Sequence, residues 1–453
     1  MINPISNSGS EKTIFFQSLG CPKNLVDTEV MLGITRKNAF QVVQDPKEAS
    51  VIVVNTCSFI NEAKQESIDT ILELAENKLE GNCKRLIVTG CLPQRYKADL
   101  KVSLPEVDAF VGTGQYGNIL EYIEGKREDD FNFKNPKYIH DEHTPRINSQ
   151  PSYRAYLKIS EGCIKNCSFC IIPKIRGTLR SRSIESLVEE ARRLVSAGAV
   201  ELNLIAQDLT DYGRDLRYED GLYRLLQALV KIDGLQWIRL FYVYPDELSD
   251  KLVELIAAEP KICNYIDMPI QHINDRMLQR MNRKWVDGKR IRERIQRLRT
   301  LIPDLAFRST VLVGYPGETQ EEFEALKRFV SEAQFEHLGV FAYSVEENTE
   351  SFKADGHLPE DIREARRLEI LELQRSISHR VIDRYVGRTL PVLVEGVSEE
   401  SEFLWRGRHA GQAPDIDGYV LLHSGEFQPG QIINVRIEKA LDYDLVGVPV
   451  ENT

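Results

Sequence analysis

No stretch of the 453-residue sequence approaches the roughly 18–20 consecutive apolar residues that a membrane span needs. The first residues, MINPISNSGSEK, also lack the basic and apolar segments of a secretory signal. A membrane protein or a secreted protein is therefore not expected. The cytoplasm is the predicted location.

Positive charge is also in short supply, since 58 Lys and Arg residues face 69 Asp and Glu residues, a formal net charge of −11. Proteins that bind nucleic acid over a broad surface usually carry the opposite balance. Nucleic acid is therefore not expected as the main substrate, although a local basic groove is compatible with this total. At this length, two to four domains are expected.

Cysteine is sparse, with eight residues in the whole chain, and in a cytoplasmic protein these do not indicate a disulfide framework. Three of them, Cys163, Cys167 and Cys170, lie within KISEGCIKNCSFCIIPKIRG and are named the loop cysteines below. A zinc site normally has four protein ligands, and the nearest histidines are His140 and His143. Three thiolates without a fourth ligand favour an iron–sulfur cluster with one open iron. A zinc knuckle or three structural cysteines are the alternatives.

Residues 1–125 alternate between strand patterns, such as SVIVVNTCS and KRLIVTGC, and helical patterns, including a short helix near Gln94–Leu100. This alternation predicts a doubly wound, mostly parallel α/β domain. Cys21, Cys57 and Cys91, named the strand-end cysteines below, each follow a predicted strand. Because the carboxyl ends of such strands share one edge, the three thiols are predicted to converge there. The alternative is that each is a small buried residue at a tight turn.

Residues 126–149 are polar and charged without periodicity and are predicted to be a linker. Over residues 150–384, six strand patterns alternate with helical patterns, and a long charged helix follows. The pattern predicts a partial (β/α)6 barrel of the TIM type, with its fourth strand at YIDMPI. The lone Cys263, just before that strand, is predicted to be structural.

Chemistry in such barrels takes place at the carboxyl ends of the strands. Gln207 and Asp208 follow the second strand, and the stretch LVGYPGET, with Gly314, Pro316 and Gly317, follows the fifth. These five residues are candidate ligand contacts because they lie at the carboxyl ends of strands. The two glycines also permit close approach of the backbone to a ligand. The alternative is that the glycines only form a turn.

Residues 385–453 contain five short β-patterns, which predict a small β-barrel of the OB type. OB barrels often bind nucleic acid, but this segment holds eleven Asp and Glu against five Lys and Arg. A surface that contacts phosphates should be basic. Docking on a basic protein is therefore favoured, with a solvated acidic surface as the alternative.

Together these motifs resemble a known family. The spacing of the loop cysteines resembles the signature of the radical S-adenosylmethionine superfamily. GCPKN, NTCSF and TGCLPQR, around the strand-end cysteines, resemble the N-terminal domain of the methylthiotransferases, and the β-tail resembles their TRAM domain. GCPKNLVDTE and QAPDIDGYV resemble the RimO type, which modifies a ribosomal protein. The tRNA-modifying MiaB type is the alternative, and the acidic tail favours the protein substrate.

The resemblance implies that the loop cysteines hold a [4Fe–4S] cluster whose open iron chelates S-adenosylmethionine. An electron from a flavodoxin or ferredoxin type of donor then produces a 5′-deoxyadenosyl radical. The strand-end cysteines would hold a second [4Fe–4S] cluster that carries the inserted sulfur, which another S-adenosylmethionine methylates. The methylthio group would be installed on the β-carbon of an aspartate in the twelfth protein of the small ribosomal subunit. By analogy, Gln207, Asp208, Gly314, Pro316 and Gly317 would contact S-adenosylmethionine.

Overall fold

The computed structural model describes residues 12–127, 135–245, 248–284, 286–399, 401–423 and 425–450. Parts of the predicted N-terminal, linker and C-terminal segments lie outside the described residues, namely 1–11, 128–134 and 451–453. The chain forms two compact units, the first with Met1–Ser149 and Ile171–Arg180, the second with Gln150–Cys170 and Ser181–Thr453. Hence the described part of the predicted linker and the segment Ile171–Arg180 both group with the first unit.

In the described part of the first unit, five parallel strands form one sheet: β1 (Thr13–Ser18), β2 (Gln41–Val42), β3 (Val51–Thr56), β4 (Arg85–Gly90) and β5 (Ala109–Gly112). Their spatial order is β2-β1-β3-β4-β5. The unit's helices are α1 (Pro22–Lys37), α2 (Asn61–Ala75), α3 (Asn77–Glu80), α4 (Cys91–Tyr96), α5 (Asp99–Ser103), α6 (Ile119–Ile123) and α7 (Ile172–Arg176).

The central strand β3 is buried along its whole length because its side chains enter two separate apolar clusters. Ile52 and Val54 pack in one cluster, and Val51 and Val53 pack in the other. A parallel strand covered on both faces reads as a continuous β-branched run, as here. The doubly wound prediction is thereby confirmed.

The short helix predicted near Gln94–Leu100 was wrong in its bounds. The chain forms α4 and α5 instead, because Lys97 adopts a left-handed conformation (φ 52°) that interrupts the helix between them. A helix cannot continue through a residue of this conformation.

The second unit contains a six-stranded parallel sheet made of β6 (Arg154–Lys158), β9 (Glu201–Ile205), β10 (Trp237–Leu240), β11 (Ile262–Asp267), β12 (Ala306–Val313) and β13 (His337–Ala342). Two short strands, β7 (Ser160–Glu161) and β8 (Arg180–Ser181), fall between β6 and β9. Helices follow the sheet strands, with two of them between β11 and β12: α8 (Ile184–Ser196), α9 (Gly221–Leu229), α10 (Asp250–Ala258), α11 (Asp275–Arg280), α12 (Gly288–Leu301), α13 (Gln320–Ala333) and α14 (Glu360–Ile382).

This sheet has the order β13-β12-β11-β10-β9-β6, in which each strand lies next to its predecessor in the series. Such a singly wound sheet is the predicted partial (β/α)6 barrel. The strand predicted at YIDMPI was placed too late, because β11 begins at Ile262 and ends at Asp267. The prediction extended the strand beyond Asp267 because apolar residues continue after the strand ends. Cys263 lies buried inside β11.

The C-terminal part of the second unit is a closed five-stranded barrel, as predicted, of β14 (Thr389–Val397), β15 (Trp405–His409), β16 (Val420–Leu422), β17 (Ile432–Ala440) and β18 (Leu445–Pro449). Its neighbouring strands are antiparallel except for β16 and β18. None of the helices within the described ranges has the length and apolar character needed to cross a membrane.

Buried charges join this barrel to the start of the parallel strands. Glu201, the first residue of β9, accepts from Arg408 at 2.6 Å and from Arg239 at 3.0 Å. All three side chains are fully buried. A buried carboxylate between two guanidinium groups is stable only because its charge and its hydrogen bonds are both satisfied.

Candidate metal centres

The strand-end cysteines lie where neighbouring strands of the first unit end. Cys21 precedes the first residue of α1, Cys57 directly follows β3, and Cys91 is the first residue of α4 directly after β4. Thr56 and Gly90 are paired across β3 and β4, so the cysteines that follow them start from the same level of the sheet. The structure thus brings the three residues to one edge.

Their thiols are close enough to affect one another's ionisation. Burial raises the pKa of Cys57, and the neighbouring Cys21 raises it further. Burial raises the pKa of Cys91 to about 12, and both Cys57 and Cys21 add to the effect. A free thiol of this kind is protonated at neutral pH, so a metal cluster must displace its proton to bind.

Two glycines allow the strand-end turns to approach one another closely. Gly20 and Gly90, each directly before a strand-end cysteine, have φ of +84° and +99°. A Cβ atom on Gly20 would lie 2.6 Å from the Cβ of Cys57, and one on Gly90 would lie 2.7 Å from the carbonyl oxygen of Thr56. Only glycine fits both the conformation and the space.

Side-chain amides fix the same turns, and sequence reasoning did not identify them. The Nδ2 of Asn24 donates to the carbonyl oxygens of Leu19 and Thr56, both at 2.9 Å. The Nδ2 of Asn55 donates to the carbonyl oxygen of Asn24 at 2.8 Å. The available signal was their position beside the cysteines in GCPKN and NTCSF.

A buried cation also lies in this group. Arg176, at the end of α7, donates at 2.6 Å to Asp27 of α1 and also donates to Asn24. Its Nη2 lies 3.6 Å from the Sγ of Cys91. Sequence reasoning missed Arg176, because it follows the loop cysteines in the sequence and not the strand-end cysteines.

In the second unit, Ser168 anchors the loop that carries the loop cysteines. Its backbone nitrogen donates to the carbonyl oxygen of Met281 at 3.0 Å, and its hydroxyl donates to that of Arg280 at 2.9 Å. The hydroxyls of Ser168 and Tyr315 are 2.8 Å apart. The three loop cysteines, which flank this anchor, are partly exposed.

Hydrogen-bond donors are directed at two of the loop thiols. The backbone nitrogen of Lys165 donates to the Sγ of Cys163 at 3.3 Å, and Arg283 Nη1 lies 3.8 Å from the Sγ of Cys167. Burial raises the pKa of Cys163 to about 12, with Asp208 among the charges that add to it. The donors offset part of this cost for a thiolate.

Each group offers only thiols, which is the donor set of iron–sulfur clusters. By the chemistry of their donors, the residues present fit two thiolate-bound clusters. Over the part of the chain that the structure describes, no group of three or more His, Cys, Asp or Glu side chains is arranged to hold a metal ion.

Gln207 lies just beyond the end of β9 and contacts the loop indirectly. Its Nε2 donates at 2.5 Å to Glu161, which also accepts from Lys158 at 2.9 Å. The Oε1 of Gln207 is buried without a hydrogen-bond partner, and so are both amide atoms of Asn203 in β9 and the hydroxyl of Ser160. Buried polar atoms without partners fit a polar ligand. Asn203 and Ser160 were missed by sequence reasoning, because inside a strand they carry no motif.

The other candidate contacts are bonded within the protein. Asp208 accepts at 2.9 Å from the backbone nitrogen of Thr210. Gly314 donates to Glu318 at 2.7 Å, and the backbone nitrogen of Gly317 donates to a carbonyl oxygen at 2.7 Å. The carbonyl oxygen of Pro316 accepts from an arginine at 3.1 Å. These bonds fix the turn at LVGYPGET. The two glycines therefore also serve to form this turn.

Three family patterns match the chain in order. The pattern described as Uncharacterized protein family UPF0004 matches residues 13–112, the Radical SAM superfamily matches 157–330, and the TRAM domain matches 386–450. A solved radical S-adenosylmethionine methyltransferase, TsrM from Kitasatospora setae, matches with a TM-score of 0.55 at 13% identity, covering 74% of this chain and 76% of that one. That likeness concerns the fold alone. The chain is a member of the radical S-adenosylmethionine superfamily.

Curated relatives identify the family more narrowly. A relative from Geobacter sulfurreducens is 51% identical over 97% of this chain and 99% of its own length. One from Geotalea uraniireducens is 50% identical over 98% and 99%, and one from Bdellovibrio bacteriovorus 47% over 98% and 99%. Each is named ribosomal protein uS12 methylthiotransferase RimO. The chain belongs to the RimO family of methylthiotransferases and is a transferase, and these relatives do not favour the tRNA-modifying type.

Proposed function

We propose that this enzyme adds a methylthio group to the β-carbon of an aspartate in ribosomal protein uS12, using S-adenosylmethionine and two [4Fe–4S] clusters. The names of relatives that match almost the whole chain support the substrate. The observation that carries the two-cluster chemistry is the grouping of the strand-end cysteines at one sheet edge of the first unit, whereas the loop cysteines belong to the second unit. Cleavage of S-adenosylmethionine alone would need only the loop group.

Cys163, Cys167 and Cys170 would hold the cluster that binds S-adenosylmethionine, and the strand-end cysteines would hold the second. When bound, the first cluster supplies the electron that cleaves S-adenosylmethionine, and the second supplies sulfur. The protein's own part is to stabilise the thiolates. The backbone N–H of Lys165 and the guanidinium of Arg283 act on the loop thiols in this way.

The S-adenosylmethionine site would include Gln207 and Asp208, together with the stretch that holds Gly314, Pro316 and Gly317. The partnerless buried atoms of Gln207 and Asn203 support a polar ligand in the barrel. A buried amide without a partner costs about 1–3 kcal/mol, which a bound ligand would recover. Gln207 would also keep Glu161 in place, two residues before Cys163.

The proposed organisation has an N-terminal methylthiotransferase domain (1–125), a linker (126–149), a radical barrel with its connecting helix (150–384) and a TRAM domain (385–453). The matched family patterns support it. The acidic TRAM domain would dock on a basic ribosomal protein, since opposite charges steer association. A low-potential donor of the flavodoxin or ferredoxin type would supply electrons, and the cytoplasm is where all these partners meet.

The decisive experiment is anaerobic incubation of the iron-loaded enzyme with S-adenosylmethionine, a reductant and either uS12 or bulk tRNA. Mass spectrometry should find a methylthio group on one aspartate of uS12 and none on tRNA. Modification of tRNA alone would overturn the proposed substrate. About eight iron atoms per chain are expected for two cubane clusters, and zinc without iron would overturn the enzyme chemistry.

A further inference from the structure

The helix α7 continues directly from the loop cysteines in the sequence, but its residues pack within the first unit. Ile171 and Ile175 form one buried apolar cluster with Cys91. The hydroxyl of Thr113, after β5, donates to the carbonyl oxygen of Ile175 at 2.7 Å. The position of Arg176, the next residue, is therefore fixed from two sides.

Arg176 is only 2% exposed, and its guanidinium lies among polar groups of the strand-end turns. Its Nη1 is 2.6 Å from a carboxylate oxygen of Asp27, and its Nη2 reaches both Asn24 and the Sγ of Cys91. An arginine cannot lose its proton in a protein, so a permanent positive charge is buried beside the thiols.

The two terminal nitrogens of this guanidinium have different partners. Nη2 contacts the Sγ of Cys91, and Nη1 donates to Asp27. Asp27 forms an ion pair with the guanidinium at 2.6 Å and compensates part of its charge. The positive group of this ion pair therefore lies next to the thiol of Cys91.

We propose that Arg176 is a positioning residue that provides the buried counter-charge of the strand-end cysteines and, balanced by Asp27, sets the reduction potential of their cluster. The inference rests on the proposed function, because it assumes a cluster at this place. Net charge and hydrogen bonds to sulfur both tune cluster potentials. A nearby cation favours the reduced, more negative cluster. Loss of the cation should lower the potential, whereas loss of the anion paired with it should raise the potential.

The test uses the full-length chain in which Cys163, Cys167 and Cys170 are replaced by Ala, so that only the second centre can load. Iron content, expected at about four atoms per chain, comes first. A redox titration followed by electron paramagnetic resonance then gives the potential. We expect a shift to lower potential for Arg176→Gln, a smaller one for Arg176→Lys, and a shift to higher potential for Asp27→Asn.

Arg146→Gln is the matched control, since Arg146 forms a comparably buried pair with Glu29 of the same helix α1, at 2.6 Å. It should lower stability without moving the potential. Unchanged potentials, or shifts of Arg176→Gln and Asp27→Asn in the same direction, would overturn the inference. If Arg176→Gln binds no iron, Asp27→Asn alone provides the test. A shift to higher potential then supports the inference, and an unchanged potential overturns it. A parent protein without iron would instead overturn the second cluster itself, and this inference with it.

Discussion

The hydroxyl of Tyr265, in β11, donates a 2.8 Å hydrogen bond to the carboxylate of Asp417 in the C-terminal barrel. Arg308 of β12 donates to the same carboxylate, and the Nδ1 of His337 lies 3.3 Å from it. Asp417 belongs to QAPDIDGYV, one of the motifs on which the family resemblance depends. This aspartate therefore has a structural role between the small barrel and the parallel sheet.

We expect Asp417→Ala to destabilise the protein by about 3–5 kcal/mol, because its fully buried carboxylate is shared by Tyr265, Arg308 and His337, which would all lose this partner. Thermal unfolding of the variant and the parent measures the effect. Asp415→Ala is the control from the same motif, since Asp415 is 53% exposed where it pairs with Arg154. Its cost should stay near 1 kcal/mol or below. Equal losses in both variants would contradict the buried role of Asp417.

Glu201 leads to an expected pH dependence of stability. Burial opposes its charge, but Arg408 and Arg239 outweigh burial and lower its pKa from 4.5 to about 2. A carboxyl with a lowered folded pKa contributes its full stabilisation above the unfolded pKa and loses it as pH falls towards the folded pKa. The contribution of Glu201 should therefore decline between pH 4.5 and about 2.

Glu201→Gln should remove this dependence. The difference in unfolding free energy between parent and variant should be about 2 kcal/mol smaller at pH 3 than at pH 7, since one pKa unit corresponds to about 1.4 kcal/mol. Iron-free protein, unfolded with denaturant at both pH values, provides the comparison. A difference independent of pH would show that Glu201 is not held ionised by the two arginines.

Gly20→Ala should prevent iron loading at the strand-end cysteines. The new methyl group would meet the Cβ of Cys57 at 2.6 Å, so that side chain must move. Gly387→Ala is the control, because Gly387 has nearly the same φ, +82°, but no atom within 4 Å of the new Cβ. Both variants should lose roughly 1–2 kcal/mol from backbone strain. Only Gly20→Ala should lose about half of the iron, and normal iron content would contradict the close approach.

Cys163→Ala and Cys57→Ala should separate the two groups of cysteines. The first should abolish reductive cleavage of S-adenosylmethionine, because the open iron that binds it would be lost. The second should still release 5′-deoxyadenosine but add no sulfur to uS12. Chromatography of the nucleoside and mass spectrometry of the protein measure both outcomes in one incubation. Methylthiolation by Cys57→Ala would refute the assignment of the second cluster.

Gln207→Ala should weaken S-adenosylmethionine binding by about tenfold, the equivalent of one hydrogen bond of about 1.4 kcal/mol. Its iron content should not change, since Gln207 contacts Glu161 and none of the cysteine residues by a hydrogen bond that the structure describes. Equilibrium binding to the iron-loaded enzyme measures the effect. Gln227→Ala, on the exposed face of α9 beside Tyr223, is the control and should bind normally. Unchanged affinity in Gln207→Ala would remove this residue from the site.

Much of the fold followed from local pattern. The alternation of strands and helices and the short β-runs of the tail are properties of neighbouring residues, and they predicted the architecture of all three parts. Errors occurred where an apolar run continued past a strand end, as after Asp267, or where one left-handed residue, Lys97, divided a helix. Neither the end of that strand nor the conformation of Lys97 can be predicted from the composition of a short stretch of sequence.

The sequence by itself determined where the thiols lie, because the spacing of cysteines and their positions after strands are local properties of the chain. It could not determine what lies beside them. Arg176 meets Cys91, and Arg408 meets Glu201, across 85 and 207 positions of sequence. Those charges are buried, and only the packing of distant elements decides which cation stabilises which thiol or carboxylate. The positions of the thiols along the chain are thus set by local sequence, and their electrostatic environment is set by the tertiary structure.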